Sequence, residues 1–123
     1  DECKKLGGCP VGEAKLTKAY QLQAHYVIHT VGPVWQGGNK NEAALLASAY
    51  QNSLLLAKQF KLYKLAFPSI STGVYRFPKP LAAQIACNTV CQFLLNSEIP
   101  SKVVFVVFDD ENLNAYRNLL FDL

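Results

Sequence analysis

The chain has 123 residues, 50% of them apolar and 17% charged, without repeats or low-complexity tracts, which fits one compact domain over residues 1–123. Its net charge of +3 comes from scattered Lys and Arg rather than a run, so no nucleic-acid-binding stripe is expected. No apolar stretch approaches the roughly 20 residues that span a bilayer, and Asp1 to Lys5 lacks an apolar signal core, so a cytoplasmic protein with no membrane partner is expected.

In chain order, Ala14 to Tyr20 alternates apolar and polar residues, as a strand with one wet face does. His25 to Val31 is rich in β-branched and aromatic residues and stops at Gly32-Pro33, so it predicts a second strand, antiparallel to the first. Trp35 and the polar, glycine-rich stretch to Asn41 read as a flexible connector. From Asn41 to Phe60 the pattern becomes helical, with Asn41 placed to cap it. Lys64 to Pro68 predicts a short buried strand, Pro80 to Leu95 a helix, Lys102 to Phe108 a near-continuous apolar strand, and Glu111 to Phe121 a closing helix. Strands and helices in alternation, with apolar strands, predict an α/β fold with a parallel or mixed sheet.

The cysteines are Cys3, Cys9, Cys87 and Cys91, with neither C-x-x-C pairs nor the density of a disulfide scaffold, so buried free thiols are expected. His25 and His29 would share one face of their strand, but no third ligand is evident and packing is the expected role. No metal and no cofactor are expected. The tyrosines Tyr20, Tyr26, Tyr50, Tyr63 and Tyr116 fall in strand or helix patterns and read as packing residues.

The segment Ile70 to Pro78, I-S-T-G-V-Y-R-F-P, lies between the strand at Lys64 to Pro68 and the helix that follows. A small-residue loop that runs from a strand into a helix presents several free backbone N–H groups where the helix dipole also favours an anion. A tight turn at Gly73 would explain the same residues without any ligand. Neither a Walker loop nor a dinucleotide fingerprint is present. Ligands of such sheets bind beyond the carboxyl ends of the strands, and Phe108 to Asn112 ends the last strand. An anion-binding loop beside an aromatic ring describes a nucleotide site.

Three segments in order, G-G-C-P-V-G-E-A at Gly7 to Ala14, Y-V-I-H-T-V-G-P at Tyr26 to Pro33 and F-P-S-I-S-T-G-V-Y-R-F-P at Phe67 to Pro78, resemble successive motifs of the macro domain family. The likeness is to its MacroD-type and bacterial O-acetyl-ADP-ribose deacetylase branch. That resemblance implies ADP-ribose or a derivative as ligand, with hydrolysis of ADP-ribosyl esters on proteins or of O-acetyl-ADP-ribose as the family's chemistry. By position it implies that the N–H groups of Ser71, Thr72, Gly73, Val74 and Tyr75 hold the diphosphate, with Tyr75 also near the terminal ribose. It puts Phe108 against the adenine, with Asp109 and Asn112 lining the mouth of that end. It makes His29 a fold residue and the Trp35 to Asn41 loop a partial lid.

Macro domains of this type also carry earlier strands, a helix, an N-A-A-N segment and a glycine-rich loop with a neighbouring aspartate, which have no match here. The resemblance therefore implies a three-layer mixed sheet flanked by helices but N-terminally truncated, without the asparagine and aspartate credited with catalysis, and no catalytic residue is assigned. It also implies that a central strand is missing between Tyr26–Val31 and Lys64–Pro68. Those strands are then expected to pair directly, to recruit another chain, or to leave open edges. Rearrangement or a homo-oligomer is the expected consequence. Activity is in doubt for such a chain, and the alternative is a non-catalytic binding or structural remnant that associates through its exposed edges.

Overall fold

The computed structural model describes residues 10–18, 26–73 and 75–120. The expectations about Cys3, Cys9, His25, Val74, Phe121 and the side chains of Tyr20 and Tyr26 lie outside the described residues. Strands β1 (Ala14–Lys18) and β2 (Tyr26–Thr30) pair antiparallel as expected, with Ala14 opposite Thr30 and Lys18 opposite Tyr26.

Helix α1 (Glu42–Gln59) forms because Leu46, Ala49, Tyr50, Ser53, Leu54 and Ala57 recur at three- and four-residue steps and bury one stripe. Asn41 precedes it as expected, but its side chain makes no capping bond. It serves instead by taking a left-handed backbone, φ 59°, which asparagine tolerates better than most residues.

Strand β3 (Lys64–Pro68), helix α2 (Lys79–Leu95) and strand β4 (Lys102–Val106) form a βαβ unit, with β3 and β4 parallel and Phe67 opposite Phe105. Pro80 stands in the first turn of α2, where its missing N–H costs no bond. Helix α3 (Asp110–Leu120) closes the described chain. It starts one residue earlier than the sequence predicts because Asp109 caps it: the Asp109 carboxylate accepts the Asn112 N–H at 2.8 Å.

The core lies on one face of the β3–β4 pair. Leu65, Phe67, Val103 and Phe105 point to it. Tyr50 of α1 meets Phe67 edge-on at 4.9 Å, and Tyr116 of α3 stacks on Phe105 at 4.7 Å. Small residues on α2, Ala82, Ala83 and Ala86, let the helices approach closely. Leu46 and Leu54 are fully buried, and truncation of either to alanine is expected to cost about 2–5 kcal/mol. Tyr50 and Tyr116 thus pack as expected, whereas Tyr63 is exposed at a strand margin. Cys87 and Cys91 are free, and burial, with Cys91 beside it, pushes the Cys87 thiol up to about 11.

The strands form two separate two-stranded sheets, β1–β2 and β3–β4. Of the three expected outcomes for a missing central strand, direct pairing is not the one taken by the described residues, since β2 and β3 do not pair. The second face of the β3–β4 pair, with Ala66, Pro68 and Val106, is exposed, and among the described residues no helix covers it. No helix of the described residues is long and apolar enough to cross a membrane.

Candidate anion-binding site

Two loops lie between strand and helix, one after each sheet. The first runs from Trp35 to Asn41, and it is not the free connector expected from its glycines. Glu42, 1% exposed, turns its carboxylate back into it. Its Oε2 accepts the N–H groups of Gln36 at 2.8 Å and Gly38 at 2.9 Å, and Oε1 that of Lys40 at 2.6 Å. Burial alone would raise the Glu42 pKa, but these main-chain N–H groups and its own hold it down at about 2. Gly37 and Gly38, both near φ 90°, make this wrapping possible.

The second loop runs from Ser69 to Pro78, and it engages several of its carbonyls together with the amides of Arg76 and Phe77. Arg76 N–H donates to Gly73 O at 3.0 Å, Phe77 N–H to Ser71 O at 2.9 Å, and Thr72 Oγ1 to Ser69 O at 3.1 Å. The loop's own Tyr75 O accepts the Trp35 N–H at 2.8 Å, which ties the two loops together. Among the described residues, the N–H groups of Ser71, Gly73 and Tyr75 have no protein acceptor, while that of Thr72 faces Ser69 O across the turn at 70–71. A turn that leaves amides unmatched is a concavity for an anion.

A turn does begin at Gly73, closed by the Arg76 N–H on Gly73 O, but it does not draw on a positive φ at the glycine. Ser71 (φ 67°) and Arg76 (φ 61°) hold the left-handed positions, while a Cβ on Gly73 would meet nothing within 4 Å. Gly73 therefore contributes open space over the backbone rather than an unusual dihedral angle. Gly32, at the end of β2, has the opposite role: a Cβ there would land on the Ser71 and Ile70 side chains. Beneath the loop, the Tyr50 hydroxyl is hydrogen-bonded to Tyr116 and to the main chain of Ile70, and burial raises its pKa.

The structure brings the two expected halves of the site together. Asn112 Nδ2 donates to Thr72 Oγ1 at 3.2 Å and to Asp109 Oδ2 at 3.0 Å. Lys79 Nζ lies 3.4 Å from Asp109 Oδ1, and Asp109 is held below the usual carboxylate range, first by the Asn112 N–H. Phe108 is 86% exposed beside this cluster, and Tyr75 is also exposed. Asn112 differs from its expected place at the mouth: it is 2% exposed, with its side chain turned to Thr72. Ser69 Oγ, Ser71 Oγ and Asn112 Oδ1 are buried without a partner among the described residues. No metal-binding cluster is present among the described residues. A groove of about 470 Å³ between α1 and α2, lined by Gln51, Lys58, Gln92 and Asn96 among others, shares no residue with the loop.

Sequence reasoning missed Glu42, Gly32, Tyr50 and the buried setting of Asn112. Only Glu42 left a trace, an acid directly after a glycine-rich stretch at a helix start.

The described residues thus form an α/β arrangement with an amide-bearing turn at the end of a parallel strand and an exposed aromatic ring at the end of its neighbour. The Macro domain family model matches residues 1–86, and the chain belongs to that family. A macro domain-containing protein of Methanosarcina mazei is 52% identical over 120 residues, covering 98% of this chain and 64% of its own length. An O-acetyl-ADP-ribose deacetylase of Citrobacter koseri is 49% identical over 124 residues, covering 98% of this chain and 70% of its own. The solved Trypanosoma brucei macrodomain in complex with ADP-ribose superposes with a TM-score of 0.89 at 35% identity, over 97% of this chain and 50% of its own. The chain thus spans between 50% and 70% of the length of these three relatives.

Proposed function

We propose that this chain binds ADP-ribose or a derivative, with the diphosphate on the amides of Ser71, Thr72, Gly73, Val74 and Tyr75 and the adenine against Phe108. The observation that carries the reading is the set of loop amides without an acceptor among the described residues, next to an exposed phenyl ring. The ligand of the Trypanosoma brucei macrodomain supports the choice of nucleotide. ADP-ribose attached to a protein fits the same reading, because an exposed loop admits a ligand whose far end is anchored elsewhere. A cytoplasmic setting belongs to it too, in keeping with the free thiols of Cys87 and Cys91.

Turnover is a separate matter. The Citrobacter koseri relative makes ester hydrolysis the reaction to test, and that reaction needs an activated water as well as a held diphosphate. Among the described residues, the ionisable side chains of the loop and its border are Tyr75, Arg76, Lys79, Asp109, Asp110 and Glu111, and Asp109 is engaged by Lys79 and Asn112. For this stretch of chain, binding is therefore the function proposed. Calorimetric titration with ADP-ribose tests it: heat that is lost in Gly73→Glu supports the loop, and no heat from the unaltered chain refutes it. Incubation with O-acetyl-ADP-ribose separates a binder from a hydrolase.

A second reading rests on the two unjoined sheets and the bare face at Ala66, Pro68 and Val106. Open apolar edges favour association, so the chain is a homo-oligomer in this reading, with or without retained binding. A monodisperse monomer by light scattering would remove it.

A further inference from the structure

A buried asparagine is costly unless its amide is matched, and the NH₂ end of Asn112 is matched by one neighbourhood while its Oδ1 has no partner among the described residues. Its side-chain Nδ2 serves both Thr72 Oγ1 and Asp109 Oδ2, and its main-chain N–H serves Asp109 Oδ1. The carboxylate settles the orientation of the amide, since a carboxylate only accepts and so takes the NH₂ end. Lys79, the first residue of α2, then reaches Asp109 from the far side of the loop. The contacts link Thr72 inside the loop, Asn112 and Asp109 at the start of α3, and Lys79 at the loop's exit.

Thr72 is itself 8% exposed, and its hydroxyl accepts from Asn112 while donating to Ser69 O. Such an oxygen needs a donor on one side and an acceptor on the other, which valine cannot replace. The residue before it, Ser71, sits at φ 67°, a conformation that costs a non-glycine residue roughly 1–2 kcal/mol. A strained turn with free amides relaxes unless something outside it holds it.

We propose that Asn112 is a positioning residue, which presets the main-chain amides of Ser71, Thr72 and Gly73 for an anionic ligand by holding the Thr72 side chain. The ligand part rests on the ADP-ribose reading above, whereas the positioning part rests on the contacts themselves. Amides fixed in advance lose less freedom when the ligand arrives, so the gain appears as affinity.

The test uses the whole chain as Asn112→Ala, Thr72→Val, the double variant and Thr72→Ser, with ADP-ribose calorimetry and backbone amide order parameters by NMR on each. Asn112→Ala and Thr72→Val are each expected to weaken ADP-ribose binding roughly tenfold, in line with loss of one buried hydrogen bond. The double variant should be no weaker than the worse single one, and Thr72→Ser should recover most of what Thr72→Val loses. The order parameters of the Thr72 and Gly73 amides should fall in both single variants, while those of the middle of α1 should not. Additive losses, or affinity and order parameters that stay as in the unaltered chain, would overturn the proposal. If the unaltered chain shows no ADP-ribose binding, the ligand reading fails, and the order parameters alone decide the positioning. Should Asn112→Ala fail to fold, the nearly isosteric Thr72→Val carries the same comparison.

Discussion

The two strand-to-helix loops are built from similar material and end differently. Both contain glycine, both lead into a helix, and Trp35 N–H to Tyr75 O joins them. In the first, three amides close on the carboxylate of Glu42 at 2.6 to 2.9 Å. In the second, the amides of Ser71, Thr72, Gly73 and Tyr75 find no such internal anion among the described residues. The chain therefore shows what its own amides do when an anion is present, and in the function proposed above the second loop is the same device with the anion left to come from outside.

The largest expected effect removes the internal anion. Glu42→Gln is expected to loosen residues 36–40 and lower the thermal midpoint by several degrees, because a neutral amide cannot accept as the carboxylate does. The pH dependence has a definite sign. The folded pKa of about 2 lies below the ordinary 4.5, so the stabilisation is present above pH 4.5 and is lost as pH falls towards 2. Thermal unfolding from pH 6 to 3 should show this component in the unaltered chain and its absence in Glu42→Gln.

Gly32→Ala attacks the second loop from beneath. Its Cβ meets Ser71 and Ile70, so an overpacking cost of about 1–3 kcal/mol is expected in denaturant unfolding, together with weakened ADP-ribose binding. Phe108→Ala should leave unfolding unchanged, because the ring is 86% exposed. It should weaken ADP-ribose by about 1–2 kcal/mol, as loss of base stacking does, yet leave inorganic pyrophosphate unaffected. The smallest stability effect belongs to Gly73→Ala. Nothing lies within 4 Å of the added Cβ, so unfolding should move by less than about 0.5 kcal/mol while ADP-ribose affinity falls through lost close approach.

Much of the scaffold was legible because it follows from local periodicity. The stripe from Leu46 to Ala57 announces α1, and the apolar run from Lys102 announces β4. The position of the second loop was legible too, from small residues between a strand and a helix. What produces its state was not. Glu42 reads as a solvated charge at a helix start, and only the fold reveals that a loop wraps it. Asn112 reads as a polar residue near a mouth, whereas the Asp109 cap turns it under Thr72. Gly73 reads as the turn, but the left-handed strain sits at Ser71 and Arg76. The separation of the two sheets depends on which strands find partners, a non-local fact on which only the resemblance bore.

Amide chemical shifts during titration with ADP-ribose compare the two loops in one spectrum. The account predicts large shifts at Ser71, Thr72, Gly73 and Tyr75, with Gln36, Gly38 and Lys40 nearly still because Glu42 already occupies them. Saturable shifts confined to the first loop, or none in the second at millimolar ligand, would contradict it.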